Sequence, residues 1–593
     1  MKRVNHKLVW LMVGVFLLTG YACQKSFLEI PPAGSYNEAT LLNRRGIEGM
    51  LINAYAGLDG NIAGLGFIGV SVGASNWIYG SIVGGEAYKG GINFTDQGAI
   101  NDIMQFATPP SNPHIDVKWN SLFDGIGRAN QVLRTLPLIE DPSLTSANRR
   151  QIEAEARFLR AFQHFEAKKV FGNIPFVDET VTDYKIPNTD ATGNYLNCWP
   201  QIEADFKMAY ETLEETKAEK GRVNRWAAAC YLAKTYLYQR KFTEAKNVFD
   251  LIIAQGRTTQ GARYDLHANY GDNFRIATQN GKESILEVQM AVGDGATTNG
   301  FQDAVLTYPN GIAGGTNSFF FRPSQNCVNT FRTDQRGLPM PDAYNTTDVT
   351  SFETVPDTEP FTPYAGSLDP RLDHTVGRRG IPYLDWGMMT GVAFTAPPGE
   401  SITNGGPYCQ KKWVFSRAEN SAGEASKVSW GYFSSAMNYV AMRYSDVLLM
   451  AAECEVEIGS LETARNYVNR VRARAAASVI RMANGTSNAA NYVVNQYTSP
   501  WASKDEARRA VRFERRLELA QEGHRFFDLV RWGIAEQFIN AEYLPRESLR
   551  RPSILGGGVR FVANRSEYQP IPIYAITQSS RNGQPTLRQN PGY

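Results

Sequence analysis

The sequence predicts a mainly α fold, in which a tetratricopeptide-like helical-repeat scaffold stands beside a loop-rich lobe with short strands. Three observations carry this prediction. Apolar residues recur at helical spacing in two long blocks, small residues in both blocks follow the spacing of a helical repeat, and glycine, proline and asparagine are frequent between the blocks. A chain of 593 residues also exceeds what one hydrophobic core normally serves, which favours two or more lobes.

Residues 1–22 have the pattern of a secretory signal peptide. Basic residues come first, and the apolar run that follows them, residues 8–18, is too short to span a membrane comfortably. Cys23 directly follows the small Ala22, as in a bacterial lipoprotein cleavage site, where the cysteine is lipidated and becomes the new N-terminus. We therefore predict a lipidated tether over residues 23–35. Ordinary cleavage beside an incidental cysteine is the alternative.

Residues 36–290 are predicted to be an N-terminal helical, tetratricopeptide-like region. Within it, residues 60–118 are rich in glycine, serine, asparagine and proline and are predicted to be a loop insertion. Apolar periodicity around that insertion predicts helices over residues 37–58, 119–136, 146–171, 202–213, 226–239 and 242–254. Gly172 and Gly256 follow two of these helices directly, as glycine commonly does where a helix ends.

One pair of these helices carries a repeat signal. Small and aromatic residues occur at intervals of 3, 9 and 4, at Ala233, Tyr236, Ala245 and Phe249. This spacing resembles that of a tetratricopeptide repeat, in which small residues let two helices approach closely and the pairs bury their faces by stacking. A weaker copy of the pattern falls at Ala452, Ala464 and Val468. Ordinary antiparallel helices without a repeat are the alternative.

The composition changes over residues 291–435. Glycine, proline, asparagine, threonine and aromatic residues are frequent there and helical periodicity disappears, so we predict a loop-rich lobe with short strands. Residues 436–540 are predicted to return to the scaffold, with helices over 440–458, 461–477 and 504–521. The remaining residues, 541–593, are rich in proline and are predicted to form an irregular C-terminal segment.

Composition and spacing argue against several classes of protein. Removing residues 1–22, which carry three basic residues and no acid, leaves the chain close to neutral, so there is no electrostatic case for nucleic-acid binding. The six cysteines include no C-x-x-C pair and the histidines show no ligand spacing, so neither a metal nor a cofactor is predicted. Cys230 and Cys454 lie on apolar helical stripes and are predicted to be buried free thiols.

Several motifs occur in order along the chain. The most specific is the run from Glu514 to Trp532, which reads ERRLELAQEGHRFFDLVRW. Others are Trp119-x-x-Leu-Phe-x-x-Ile-x-Arg-Ala-Asn130, Glu155-Ala-Arg-Phe-Leu-Arg-Ala161, Leu368-Asp-Pro-Arg-Leu-Asp373 and Tyr568-x-Pro-Ile-Pro572. Over residues 23–593 this set resembles the SusD/RagB family of Bacteroidetes outer membranes. The resemblance implies a fold in which tetratricopeptide helices pack against the loop-rich lobe.

The resemblance also implies a function and a partner. Members of the family capture oligosaccharide or polysaccharide at the cell surface and cap a TonB-dependent, SusC-type transporter like a lid. The resemblance therefore implies a non-catalytic lipoprotein, anchored to the outer membrane through Cys23 and exposed at the surface, that delivers its glycan to a SusC-like transporter. Two alternatives stay open: a peptide-binding import lipoprotein and a lipid-anchored glycoside hydrolase.

A glycan site needs aromatic rings that stack on sugar faces, with a few amides or charges around them. Three aromatic clusters in the loop regions qualify, and relatives commonly bind with aromatic residues from these two regions. The predicted ligand-binding residues are Trp77 and Tyr79 in the first cluster, Tyr308, Phe319 and Phe320 in the second, and Tyr383 and Trp386 in the third. The binding hypothesis requires these rings to be exposed. Burial in the loop-rich lobe is the competing interpretation for each.

The run from Glu514 to Trp532 holds so many acids and bases that it looks catalytic at first sight. We interpret it as scaffold, because Gly523 ends a helix and the rings that follow, including Phe526 and Phe527, are suited to a core. Its arginines and carboxylates are then expected to pair around those rings. The family resemblance agrees with this interpretation, so no catalytic residue is predicted.

Overall fold

The structure is a computed structural model that describes residues 41–60, 66–295, 299–300, 303, 306–312, 318–397, 399–428 and 431–593. The predicted signal peptide, Cys23 and the tether lie outside these residues, so lipidation stays a prediction. Within the described residues, one large hydrophobic cluster joins both helical blocks to the loop-rich lobe; Phe158, Tyr383 and Leu448 belong to it. The lobes expected from chain length therefore share one main core.

Seven helices form the first block: α1 (Arg44–Ala56), α2 (Ala99–Met104), α3 (Pro113–Thr135), α4 (Ser146–Phe171), α5 (Trp199–Thr212), α6 (Arg225–Tyr238) and α7 (Phe242–Gln255). The ends of α4 follow from local chemistry, because Thr145 and Asn148 form a capping box and Gly172 takes the positive φ that ends the helix. Helix α3 begins earlier than predicted, since Asn112 caps it and Pro113 opens it.

Eight short strands pair into two-stranded antiparallel sheets: β1 (Ala87–Gly90) with β3 (Phe320–Pro323), β2 (Ser284–Val288) with β8 (Tyr439–Arg443), β4 (Val376–Gly377) with β5 (Cys409–Gln410), and β6 (Ala425–Val428) with β7 (Gly431–Ser435). Between them lie α8 (Gln325–Thr330), α9 (Arg371–Thr375), α10 (Val392–Thr395), α11 (Glu400–Gly405) and α12 (Arg417–Ser421). The pairing of β1 with β3 ties the loop-rich lobe to the first helical region. The pairing of β2 with β8 ties that region to the returning scaffold.

The second helical block begins with three long helices, α13 (Tyr444–Ile458), α14 (Leu461–Ala477) and α15 (Lys504–Glu518). Shorter helices follow: α16 (Arg525–Arg531), α17 (Ala535–Gln537), α18 (Leu544–Arg550), α19 (Pro552–Leu555) and α20 (Ile573–Gln578). Helix α13 packs against both α7 and α14, so the second block continues the stack of the first.

The two blocks stack as a helical repeat. From α3 to α7 each helix packs against the next in sequence. Ala233 and Ala245, the small residues of the repeat signal, are fully buried, and so are Ala452 and Ala464 of the weaker copy. Small buried side chains at these positions allow close approach of paired helices, as the spacing predicted. The mainly α, tetratricopeptide-like fold class is therefore confirmed.

Three stretches differ from the sequence-based expectation. One is the C-terminal segment, residues 541–593, which was predicted to be irregular but contains the short helices α18, α19 and α20. Residues 440–443, predicted to begin a helix, belong to strand β8, because they pair with β2 and are buried on both faces. Residues 60–118, predicted as loops, contain α2, β1, the start of α3 and a π-helix, Trp77–Ile82. These elements are too short for their periodicity to be recognised, and apolar contacts with the main core hold them in place.

The C-terminal segment is hydrogen-bonded to the end of helix α4. The side-chain amide of Asn590 donates to the carbonyl of Phe171 at 2.7 Å and to the carbonyl of Gln569 at 2.8 Å. The hydroxyl of Tyr593 donates to the carbonyl of Tyr568 at 2.9 Å. Hydrogen bonds of this kind satisfy backbone groups where a helix ends, so the tail completes the scaffold.

Candidate functional site

The rings of the first two predicted clusters lie inside the protein. Trp77 is 4% exposed, and its ring meets that of Phe320 edge-on with 6.5 Å between centroids. Tyr79 is 2% exposed, and its hydroxyl donates to the carbonyl of His114 at 2.9 Å. Phe319 is buried in a small apolar cluster of its own. These rings offer no free face to a ligand.

The remaining predicted rings are buried as well. Tyr308 packs against Phe415 with 5.0 Å between ring centroids. Tyr383 donates its hydroxyl to the carbonyl of Gln410 at 2.5 Å. The indole N–H of Trp386 donates to the carbonyl of Phe415 at 3.0 Å, and this side chain is 8% exposed. The third cluster thus anchors loops to each other.

The exposure that the binding hypothesis requires is therefore absent for all seven rings, and burial is what the structure shows. The reason lies in the lobe itself. Its two-stranded sheets and short helices build little core of their own, so large side chains from the loops must fill the interior. The tyrosine hydroxyls and indole N–H groups that reach backbone carbonyls make this burial favourable.

A groove lies between helix α15 and two loops, and we call its wide part the outer groove. It has a volume of about 850 Å³, within the range of roughly 300–1,000 Å³ that is typical of ligand sites. One side is formed by the loop at 336–342, a second by the loop at 495–501, and a third by residues 506–510 of α15. The groove is open to solvent along its length.

Arg472 of α14 fixes the two loops of the outer groove relative to each other. Its Nε donates to the carbonyl of Asn495 at 2.7 Å, and its Nη2 donates to the carbonyl of Gly337 at 2.6 Å. Its Nη1 donates to the buried carboxylate of Glu514 at 2.9 Å. Because the guanidinium group is planar and rigid, the width of the groove is set by the scaffold.

The outer groove combines aromatic rings with amides. Trp501 is 6% exposed and lines the groove, and its indole N–H has no hydrogen-bond partner among the described residues. Tyr497 is half-buried and meets Trp501 with 5.5 Å between ring centroids; burial raises the pKa of Tyr497, so its hydroxyl stays protonated. Exposed amides of Asn495 and Gln496 lie beside them. Rings and amides together suit a ligand with apolar faces and many hydroxyls.

Beside the outer groove lies a second pocket, equally open to solvent, of about 250 Å³, which we call the inner cavity. The two spaces share Pro341, Asp342 and Arg509 in their walls, and a side cavity of about 320 Å³ adjoins them at Asp342. The inner cavity is lined by aromatic and basic side chains: Tyr344, Phe513, Trp532, Phe538, Arg512, Arg516 and Arg525. A ligand in the outer groove can therefore reach a strongly basic compartment.

The acids of the Glu514–Trp532 motif lie in the core and are paired with arginines. Glu514 and Glu518 are fully buried, and their partners are Arg371, Arg443, Arg472 and Arg474. Burial alone would raise the pKa of Glu518, but the surrounding guanidinium groups hold it well below its usual range. Burial lowers the pKa of His524 to about 4, so this ring is neutral at pH 7. The acids of the motif are scaffold, as interpreted.

Sequence analysis did not find this groove. It assigned the stretch around 495–501 to the connection between two helices and the arginines of α15 to scaffold. A signal was present, because Asn-Gln-Tyr-Thr-Ser-Pro-Trp places two amides, three hydroxyls and two aromatic rings in seven residues. That composition is unusual for a plain connection and is typical of polar ligand sites.

The described residues show no second class of site. Among them, no group of three histidine, cysteine, aspartate or glutamate side chains is placed to hold a metal ion. In the same part of the chain, no helix combines the length and the apolar character needed to cross a membrane. Five cysteines are buried free thiols, Cys198, Cys230, Cys327, Cys409 and Cys454, which confirms the prediction for Cys230 and Cys454.

The stacked helices, the loop-rich lobe and the fixed groove define a helical-repeat protein with a solvent-open groove lined by rings and amides. Comparison with protein families makes this specific. The model of the SusD family matches residues 282–593, more than half of the chain, and the model described as starch-binding associating with outer membrane matches residues 89–237. The chain belongs to the SusD family.

Individual relatives agree with this assignment. SusD-like protein P2 of Formosa agariphila is 25% identical over 501 residues, which cover 84% of each chain. A SusD superfamily protein of Bacteroides vulgatus aligns with a TM-score of 0.64 at 21% identity, over 93% of this chain and 99% of that one. Surface glycan-binding protein A of Bacteroides thetaiotaomicron, solved in complex with laminarihexaose, aligns with a TM-score of 0.63 at 20% identity, over 92% and 99%. The SusD fold is thereby shown.

Proposed function

We propose that this protein binds oligosaccharide or polysaccharide at the cell surface and passes it to a SusC-like, TonB-dependent transporter without changing it chemically. The observation that carries the proposal is the outer groove, where the half-buried ring of Tyr497 and the exposed amides of Asn495 and Gln496 face a space of about 850 Å³. Membership in the SusD family supports the proposal, since one matching family model is described as starch-binding and a structural relative was solved with laminarihexaose.

The groove suits a ligand that is held loosely and released. Each stacked ring contributes about 0.5–1.5 kcal/mol beyond its burial. Tyr497 is the most accessible ring of the outer groove, and the amides of Asn495 and Gln496 supply hydrogen bonds for sugar hydroxyls. A few such contacts give an affinity on the order of micromolar, about −8 kcal/mol, which fits a protein that hands its cargo on.

The acids of the outer groove support binding without chemistry. Hydrolysis of a glycosidic bond requires two carboxyl groups on opposite sides of the bound sugar. Asp342 is exposed, and one of its oxygens lies 3.7 Å from a guanidinium nitrogen of Arg509. Glu506 accepts the backbone N–H of Ala502 at 2.7 Å and so helps to begin helix α15. Both acids thus have contacts within the protein that account for their presence without a catalytic role.

The cellular part of the proposal is anchoring and delivery. Lipidation at Cys23 would hold the protein at the outer membrane, and residues 23–35 would form the tether between the lipid and the first described helix. Acyl chains bury enough apolar surface for stable anchoring only when more than one signal is present, which is the case for a diacylated cysteine. The family assignment supports an association with the outer membrane.

A glycan array tests the proposal directly. The full chain, purified in detergent, is applied to neutral and acidic glycans and to a peptide library, alongside Tyr497→Ala. The control is Tyr574→Ala, which removes a 59% exposed ring that lines none of these cavities. We expect glycan binding that Tyr497→Ala weakens by several-fold to tenfold, in keeping with the loss of one stacked ring, and that Tyr574→Ala leaves unchanged.

Two results would overturn the proposal, and a third would overturn its assignment to the outer groove. Binding to peptides with no binding to any glycan would favour the peptide-import alternative. Shortening of a bound glycan over time, detected by mass spectrometry, would favour the hydrolase alternative. Glycan binding that is equally strong in wild type and Tyr497→Ala would leave glycan capture in place but would remove the outer groove as its site.

A further inference from the structure

Three arginine side chains surround the inner cavity, and none of them forms an ion pair within the described residues. They are Arg512, Arg516 and Arg525. Each guanidinium group lies over an aromatic ring instead. Arg512 lies 4.8 Å from the ring centroid of Trp532, and Arg516 and Arg525 lie 5.0 and 4.6 Å from that of Phe538. Stacking satisfies the faces of these groups, and Arg516 also donates to the side-chain oxygen of Asn326. The Nε of Arg512 and the Nε of Arg525 have no hydrogen-bond partner among the described residues.

This arrangement arises because helix α15 carries its basic and its acidic side chains on two different faces. Arg509, Arg512 and Arg516 follow each other at intervals of three and four, so they share the face that borders the cavity. The carboxylates of Glu514 and Glu518 point the other way, to the arginines of the core. Like charges at these intervals repel each other, so the arginine face is unfavourable unless something outside the helix neutralises it.

Buried arginines elsewhere in the protein show what a complete set of partners looks like. Arg371 pairs with Asp369, Glu514 and Glu518, and Arg531 pairs with Glu453 and Asp528. Two buried arginines without a carboxylate, Arg322 and Arg379, donate to backbone carbonyls instead. The fold therefore gives most N–H groups of such structural guanidinium groups a partner, although the Nη1 of Arg322 and the Nε of Arg474 have none among the described residues.

Arg525 departs from that rule. It is 8% exposed, its Nε has no hydrogen-bond partner among the described residues, and no described carboxylate pairs with it. Burial, together with the positive charge of Arg516, lowers the pKa of Arg525 to about 9. A buried cation without a partner is costly, and the cost is removed when an anion enters the site. Arg525 is thus a donor directed at a ligand space.

The acids near the cavity do not neutralise it. Asp342 and Glu542 both line the wall, but both are exposed to solvent, and Asp342 lies near the exposed Arg509. Exposed carboxylates are well solvated and screened, so they cancel little of the potential further inside. The buried end of the cavity also faces Glu86, whose charge raises the pKa of Arg525. Because burial raises the pKa of Glu86 itself to about 7, this carboxyl offsets the basic groups only in part near neutral pH.

We infer that the inner cavity binds an anionic group, a carboxylate or a sulfate ester, carried by an acidic saccharide whose neighbouring units occupy the outer groove. The guanidinium forks match the paired oxygens of either group and give short, charge-assisted hydrogen bonds. A volume of about 250 Å³ is below the range of roughly 300–1,000 Å³ for whole ligands, so the cavity holds one unit of a longer one. This inference rests on the proposed glycan-binding function and adds the class of glycan.

The test compares ligands that differ only in charge. Oligogalacturonate is paired with its methyl ester, and sulfated laminarihexaose with laminarihexaose, so that the carboxylate and the sulfate are tested separately. The full chain in detergent and the Arg525→Gln variant are titrated with all four ligands, and their melting temperatures are measured with and without sodium sulfate. Arg581→Gln is the matched control, because it removes a half-exposed charge that pairs with Asp183 outside the groove.

We expect wild type to bind at least one acidic ligand at least tenfold more tightly than its neutral partner, and to lose most of that preference in 0.5 M sodium chloride. Arg525→Gln should lower affinity for the acidic ligand tenfold or more and leave the neutral ligand unchanged. Sulfate should raise the melting temperature of wild type only. Without ligand, the melting temperature of Arg525→Gln should be no lower than that of wild type. If Arg525 had a structural role, its replacement would lower the melting temperature.

The outcomes separate this inference from the proposed function. A preference for neutral glycans, or an Arg525→Gln variant that keeps its affinity for acidic ones, overturns the anionic class and leaves glycan capture standing. Binding of acidic peptides with no binding to any glycan overturns both. Binding confined to the carboxylate pair or to the sulfate pair supports the inference and identifies the anion.

Discussion

At the scale of single residues, the stability of this protein depends on charges that are buried together. The core places Arg371, Arg443 and Arg474 around the acids of helix α15, and all of these groups are nearly inaccessible to water. Such a cluster adds little compared with an apolar core of equal volume, but it becomes very unfavourable when one member is removed. The acids of the cluster are therefore the positions where a small chemical change has a large effect.

Glu518→Gln tests this directly. Glu518 contacts three buried guanidinium groups, so loss of its charge leaves them short of a partner, and we expect the free energy of unfolding to fall by about 3–5 kcal/mol. The control is Glu462→Gln, which breaks an exposed pair with Arg465 and should cost less than about 1 kcal/mol. Both values come from guanidinium chloride denaturation. Equal losses in the two variants would contradict the structural role of the cluster.

Glu86 gives a prediction about pH. It is 2% exposed and accepts the backbone N–H of Gln521 at 2.9 Å, and burial raises its pKa to about 7. Between its ordinary value and pH 7 the folded protein holds this proton more tightly than the unfolded chain, so the stability contributed by protonation is lost as pH rises. Glu86→Gln should therefore unfold like wild type near pH 5 and be more stable by about 2–3 kcal/mol at pH 8. The same stability difference at both pH values would contradict the shift.

Residue-scale function was the hardest part to predict from the sequence. Trp77 and Trp386 have the composition around them that a sugar site requires. Their indole N–H groups, however, donate hydrogen bonds to backbone carbonyls of the loops themselves. Tyr497 and Trp501 lie in the segment between two predicted helices, to which no function was assigned. Whether a ring is exposed depends on which distant segments of the chain cover it, and a local sequence pattern does not show this. The acid-rich motif was interpreted correctly, because its alternation with large rings indicates a packed helix end.

At the scale of secondary-structure elements, the bounds of a helix were predicted most accurately where a capping residue marks its start. Helices α4 and α14 have the predicted bounds to the residue, since Thr145 and Ser460 cap their starts and their apolar periodicity is long. Strand β8 was missed because Tyr439–Arg443 continues the apolar pattern of the helix that follows it. Only its pairing with β2, far away in sequence, shows that it is a strand. Long-range pairing of this kind is invisible to local periodicity.

The repeat contact between α6 and α7 yields an element-scale prediction. Ala233 on α6 is fully buried where the helices stack, so Ala233→Leu has no space for its added carbons and should cost about 1–3 kcal/mol. Asn247→Leu on α7 adds a similar side chain at an exposed position and should change stability by less than about 0.5 kcal/mol. Thermal unfolding of both variants measures this. Tolerance of leucine at Ala233 would mean that the two helices are not closely packed.

At the scale of the whole molecule, one core unites segments that the sequence presents as separate regions. Residues 291–435 contribute buried rings to the same cluster as both helical blocks, so the loop-rich lobe is held by the scaffold it covers. The groove lies at that junction, with loops of the lobe on one side and α15 on the other. A rigid scaffold of this kind can present such a groove to solvent.

Attachment through Cys23 is the last prediction, and it concerns the molecule as a whole. If Cys23 carries the lipid, Cys23→Ala should move the protein from the membrane fraction to the soluble fraction of its host, because the acyl chains that bury apolar surface in the bilayer are lost. Cys198→Ala is the matched control, since this thiol is buried in the fold and should leave the distribution unchanged. Immunoblots of separated membrane and soluble fractions measure both variants. A Cys23→Ala protein that stays with the membrane would show that another part of the chain, or a bound partner, holds it there.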